Sequence, residues 1–224
     1  MAQDLVTLAE KVDPAHAGLI VIDMQNDYCC SEGAIGKTGA DLSPVQAMVP
    51  RLVGFIEQAR SVSVPVFFVV HHHGRWTDTP AWLQRQSRFG VLPPEQARRT
   101  AVEGTWGAEL VPEMKPTAED RVVVKHRYSA FINTELETVL RARGIRTLLM
   151  TGTATNVCVE STLRHGFMLD YHIVLVEDCA ACTDETMHRG TLENVRRHFG
   201  LVAKADEIMG CWQAARPVSP APAR

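Results

Sequence analysis

Short runs of aliphatic and β-branched residues recur along this chain, separated by stretches in which apolar positions return every three to four residues. Residues 18–23 (GLIVID), 65–71 (PVFFVVH), 121–125 (RVVVK), 146–152 (RTLLMTG) and 172–178 (HIVLVED) are nearly continuous apolar runs. Such runs are the signature of strands buried on both faces. Residues 201–203 add a short sixth. Between them, residues 45–60, 134–143, 156–169 and 184–199 carry helical spacing. Asp184 is placed to cap its helix at the N-terminus, and Gly144 and Gly200 stand where helices close. The alternation predicts an α/β fold in which a parallel sheet carries helices on both faces.

Two stretches break the pattern. Residues 74–116 are rich in Trp, Arg and Pro (Trp76, Trp82, Trp106) without clean periodicity, and read as a long surface insertion able to cover a site at the strand ends. Residues 216–224 (RPVSPAPAR) are Pro/Ala-rich and read as a disordered tail. No internal repeat or linker divides the rest, so residues 1–215 are expected to form a single domain.

Composition narrows the function classes. With 224 residues, 46% apolar and 22% charged, the chain can bury a sizeable core. A net charge of −3 with scattered Lys and Arg offers no surface for a phosphate backbone, so nucleic acid is not expected as a partner. Residues 1–17 lack the apolar core of a signal peptide, and no stretch reaches the ~18 apolar residues of a membrane span. A cytoplasmic location is expected, and the six cysteines are then free thiols available for packing, metal binding or catalysis.

In open parallel sheets, ligands bind beyond the carboxyl ends of the strands. Asp23 ends the first strand, Lys125 ends the third, and Cys158 lies just past the fourth at the start of a helix. Singly, these are a turn former, a solvated cation and a packing thiol. Together they place a carboxylate, an ammonium and a thiol at one sheet edge. A nearby cation and a helix N-terminus both favour a thiolate, and Asp23 is placed to take the thiol proton and return it to a leaving nitrogen.

Residues 19–28 (LIVIDMQNDY) resemble the opening strand and turn of the isochorismatase-like cysteine hydrolases, and residues 152–161 (GTATNVCVES) resemble their nucleophile loop. Lys125 falls where that family has its lysine. The resemblance covers roughly residues 17–210. Residues 125–133 (KHRYSAFIN), 141–145 (RARGI) and 154–164 (ATNVCVESTLR) look closest to the ureidoacrylate amidohydrolases. It implies a three-layer α/β/α sandwich with a six-stranded, mainly parallel sheet and a homo-oligomer. It further implies a triad of Asp23, Lys125 and Cys158, an acyl-enzyme route, a cis Thr153–Ala154 bond, and an oxyanion hole formed by the amides of Ala154 and Cys158. The substrate expected is a small amide or ureide. Tyr28, His71, His73, Trp76, Tyr128, Phe131 and Asn156 are the expected pocket residues.

His71, His72 and His73 invite a metal reading, because nicotinamidases of this family hold a metal nearby with an Asp-x-His arrangement. Here that Asp is missing, so no metal and no cofactor are expected. Cys179 and Cys182 form a C-x-x-C without a second pair, and residues 33–36 (GAIG) introduce no phosphate-binding pattern. The leading expectation is a ureide or carbamoyl amidohydrolase, with a nicotinamidase-like, biuret or N-carbamoyl amino acid amidase as the alternative. A non-catalytic metal-binding or regulatory relative is the alternative of another class.

Overall fold

The computed structural model describes residues 4–88 and 100–215. The chain runs α1 (Leu8–Lys11), β1 (Ala17–Ile22), α2 (Asn26–Cys29), α3 (Ser43–Ser61), β2 (Val66–His71), α4 (Pro80–Arg88) and β3 (Arg121–Lys125). It continues with α5 (Leu136–Ala142), β4 (Thr147–Thr153), α6 (Glu160–Met168), β5 (His172–Ala181), α7 (Glu185–His198), β6 (Gly200–Ala203) and α8 (Ala205–Ala215). The six strands form one sheet in the order β3-β2-β1-β4-β5-β6. Every pairing is parallel, so the sheet is wholly rather than mainly parallel.

The apolar runs became strands because both faces are covered. Every residue of β1, β2 and β4 is buried. Leu19, Val21 and Phe68 pack beneath α3 and α8, where Phe55 stacks on Trp212 at 5.3 Å between ring centres. Ile20, Ile22, Phe67 and Val69 pack on the opposite face with Leu140, Leu163 and Val195 from α5, α6 and α7. Only the edge strand β3 shows an open face, with Val122 and Val124 exposed.

Chain direction across the sheet reverses between β1 and β4, the place where an open parallel sheet leaves a crevice. Asp23 follows β1, and the loop that carries Cys158 follows β4. Ile22 lies opposite Gly152 in register. Gly152 has φ +101°, and a Cβ there would stand 2.1 Å from the Ile22 carbonyl oxygen, so only glycine permits this close approach.

Asp184 caps α7 as expected, accepting from the Thr186 and Met187 amides at 2.8 and 3.1 Å. Gly144 takes φ +67° after α5. Gly200 differs from its expectation. It opens β6 instead of closing a helix, and a Cβ there would meet the Ile173 carbonyl oxygen at 2.2 Å, so strand packing demands the glycine. The helix expected over residues 156–169 is also split: residues 155–159 form a wide π turn, and α6 begins at Glu160.

The insertion contributes α4 and a short turn at Trp106–Ala108. It is laced to the strand ends by bridges from Gln25 to Leu110 and from His73 to Val102. Residues 89–99, and the expected tail at 216–224, lie outside the described residues. No helix among the described residues is long and apolar enough to cross a membrane.

Candidate active site

Asp23 sits at the end of β1 with φ +50°, a left-handed conformation that a short polar side chain tolerates better than most. Lys125 closes β3, two strands away, and its side chain bridges that width with no exposed surface. Its Nζ lies 2.8 Å from Asp23 Oδ2, 3.1 Å from the Arg127 carbonyl oxygen and 3.4 Å from Cys158 Sγ. An ammonium has three N–H bonds, and all three are used. Carboxylate, ammonium and thiol therefore converge as the sequence proposed.

Burial sets the electrostatics of the group. Burial raises the Asp23 carboxyl above its ordinary range, against the pull of Lys125. Lys125 is held above the usual lysine value: burial opposes its charge, and the Asp23 carboxylate followed by Cys158 outweighs that penalty. The Cys158 thiol is pushed well up, first by burial and then by the Asp23 carboxylate. This departs from the thiolate expected from sequence, because one cation cannot offset desolvation plus an adjacent anion. Burial and the neighbouring carboxylate thus favour the thiol form of Cys158, beside a carboxyl whose own basicity is raised. Asp23 Oδ1 is buried and accepts no hydrogen bond of ordinary geometry among the described residues, which leaves it for the thiol proton.

The loop after β4 presents Cys158. The Thr153–Ala154 peptide is cis, and the Ala154 carbonyl accepts from the Val157 and Val159 amides at 3.0 and 3.2 Å. Thr162, one turn into α6, fastens the loop to the lysine segment. Its hydroxyl donates to the Cys158 carbonyl at 2.7 Å and accepts from the Ala130 amide at 3.1 Å.

Beside the triad lies a cluster of rings. His71 Nδ1 is 3.0 Å from the Tyr28 hydroxyl, and the His71 and His73 rings are 4.5 Å apart. His73 Nδ1 pairs with Asp78 Oδ1 at 2.9 Å. Trp82 on α4 covers them, 6.1 Å from His71, 6.3 Å from His73 and edge-on to Tyr128 at 4.9 Å.

The isochorismatase domain model matches residues 17–207. The chain belongs to the isochorismatase family. It is 36% identical over 217 residues to the ureidoacrylate amidohydrolase RutB of Caulobacter segnis, covering 92% of this chain and 90% of that one. The crystal structure of a cysteine hydrolase from Pseudomonas syringae pv. phaseolicola superposes with a TM-score of 0.78 at 26% identity, covering 96% of this chain and 100% of that one. N-carbamoylsarcosine amidase from Thermoplasma acidophilum superposes with a TM-score of 0.67 at 27% identity, covering 85% of this chain and 97% of that one.

Within this isochorismatase-family site, Tyr28, His71, His73 and Tyr128 gather beside the triad, and three other expected pocket residues do not. Trp76 is 86% exposed, its ring under the Arg75 guanidinium at 4.7 Å. Phe131 is buried in the core against His165 and Tyr171. Asn156 lines a separate cavity of 460 Å³ with Glu160, Thr191 and Asn194. Sequence reading missed Trp82, which takes the place assigned to Trp76, and Asp78, a carboxylate for His73 supplied from five residues on. It also missed Gln25, Asn26 and Asp27, which bind the insertion. Gln25 spans His71 N, His71 O and Ala108 O at 2.7, 3.0 and 2.7 Å. Asn26 donates to the Trp106 carbonyl at 2.7 Å. Asp27 accepts from the Ala101 and Ala34 amides at 2.6 and 2.9 Å. The run MQNDY held that signal.

Proposed function

We propose that this chain hydrolyses a C–N bond of a small ureide or carbamoyl compound by nucleophilic attack of Cys158. Membership in the amidohydrolase class rests on its isochorismatase domain and its ureidoacrylate amidohydrolase relatives. The observation that carries the mechanism is a single buried ammonium, Lys125, bonded at once to Asp23 and Cys158.

Asp23 takes the Cys158 proton as the sulfur attacks the substrate carbonyl, and the amides of Ala154 and Cys158 receive the developing oxyanion. A single such donor is worth ~3 kcal/mol of barrier. The protonated Asp23 then delivers its proton to the departing nitrogen, leaving a thioester on Cys158. With the nitrogen gone, Asp23 activates water to release the acid and restore the thiol. Lys125 keeps its charge throughout and offsets the negative charge as it passes between carboxylate and sulfur. Tyr28, His71, His73, Trp82 and Tyr128 wall the substrate. The reading places the enzyme in the cytoplasm as a homo-oligomer, and the six free thiols accord with that compartment.

The test is ammonia release from ureidoacrylate, biuret, N-carbamoyl amino acids and nicotinamide, with Cys158→Ala as control. Turnover is expected on a ureide or carbamoyl substrate and absent in the variant, with an unchanged circular dichroism spectrum. Near-normal kcat in Cys158→Ala would end the nucleophile assignment, and turnover of nicotinamide alone would end the substrate assignment.

A further inference from the structure

Arg127 joins the insertion to the catalytic lysine. Its main-chain carbonyl accepts one of the Lys125 Nζ hydrogens at 3.1 Å. Its guanidinium reaches the insertion, with Nη1 donating to the Thr77 carbonyl at 3.1 Å, and the same Nη1 donates at 2.6 Å to the carbonyl of the adjacent His126. The guanidinium carbon lies 4.8 Å from the centre of the Trp82 ring. Thr77 belongs to the turn that leads into α4, where its amide and that of Asp78 both donate to the Gly74 carbonyl at 3.0 Å. Trp82 stands in the first turn of α4. Both grips therefore fall on one short segment of the insertion, and the neighbouring Tyr128 packs against the same indole.

No ion pair among the described residues includes Arg127. A half-buried cation held by carbonyls and an aromatic face suits the planar guanidinium fork, which a lysine ammonium cannot reproduce.

We propose that Arg127 is a positioning residue: by clasping the α4 segment with its side chain, it sets the main-chain carbonyl that aims the Lys125 ammonium at Asp23 and Cys158. The inference rests on Cys158 as nucleophile and extends that reading, because seating of the insertion and readiness of the thiol become one event. With the clasp open, the carbonyl is no longer fixed. The ammonium then loses one of its three acceptors, and its hold on a thiolate weakens.

The test is the rate of Cys158 alkylation by iodoacetamide at neutral pH, mapped by peptide to separate it from the five other thiols. The wild type is compared with Arg127→Met, Arg127→Lys and Trp82→Leu, each checked for folding by thermal melting. The rate of Cys158 labelling at neutral pH is expected to fall about threefold or more in Arg127→Met. Trp82→Leu should move it in the same direction, and Arg127→Lys should restore it only in part. Loss of alignment is expected to lower kcat about tenfold or more, with a smaller change in KM.

A labelling rate that is unchanged or raised in Arg127→Met would mean that α4 merely controls access, and the proposal would be overturned. If Arg127→Met does not fold, Trp82→Leu decides, since it leaves Arg127 and the triad in place. A wild-type Cys158 that labels no faster than the other thiols, together with an active Cys158→Ala, would instead remove the nucleophile reading, and this proposal with it.

Discussion

Lys125 shows how a full charge survives with no exposed surface. A buried ammonium is costly unless its donors are satisfied and a counter-charge is close, and here carboxylate, carbonyl and thiol take its three N–H bonds. The same geometry fixes the direction of the pH response. In the proposed mechanism Asp23 works as its carboxylate, and burial raises its pKa. Acid is therefore expected to switch the enzyme off at a higher pH than for an ordinary aspartate of about 3.9. Lys125 titrates above its ordinary value of about 10.4, so the stability its charge supplies is present below that value and lost as pH rises through the folded-state pKa. The expected kcat/KM profile has an acid limb with its midpoint clearly above pH 4, and Asp23→Asn is expected to abolish turnover across the whole range. An acid limb at or below pH 4 in the wild type would show that Asp23 is not the group whose ionisation starts the reaction.

At the level of elements, the turn after β1 is a clamp. Asp27 holds both the insertion, through the Ala101 amide, and the following loop, through the Ala34 amide. A Cβ on Gly107 would stand 2.2 Å from the Asp27 carboxylate, so the insertion passes directly over this side chain. Charge-assisted bonds of this kind contribute ~1.5–3 kcal/mol each. Asp27→Ala is thus expected to raise KM more than it lowers kcat, and to speed limited proteolysis within residues 100–110. Unchanged cleavage rates and kinetics would show that the bridges at Leu110 and Val102 suffice.

The strands were legible because burial on both faces leaves only apolar residues to choose from. Asp23 and Cys158 were legible because a strand end and a known loop pattern coincide. Trp82 was not, since a stretch without periodicity gives no means of telling a tryptophan that folds inward from one, Trp76, that does not. The upward push on the Cys158 thiol was equally hidden, because sequence reveals the neighbouring cation but not the desolvation that outweighs it.

Taken as a whole, the molecule gathers Asp23, Lys125 and Cys158 at its sheet switch point, and the mechanism proposed for them needs no Lewis acid to cleave an amide. The histidine run beside it is the place where the sequence invites a metal. His71 Nδ1 faces the Tyr28 hydroxyl and His73 Nδ1 faces Asp78, and among the described residues no three His, Cys, Asp or Glu side chains are grouped to hold an ion. These nitrogens are engaged in orienting the rings, which suits a wall that contacts substrate by shape and hydrogen bonding. Exhaustive dialysis against a strong chelator is therefore expected to leave kcat unchanged, while His71→Ala raises KM at nearly constant kcat, the pattern of a contact made equally in ground and transition states. Loss of turnover on chelation, with recovery on adding zinc or iron, would move His71 and His73 from the pocket wall into a ligand set. The chemistry would then run through a metal, as in a nicotinamidase-like site, and Asp78 would have to exchange its contact with His73 for a place near that ion.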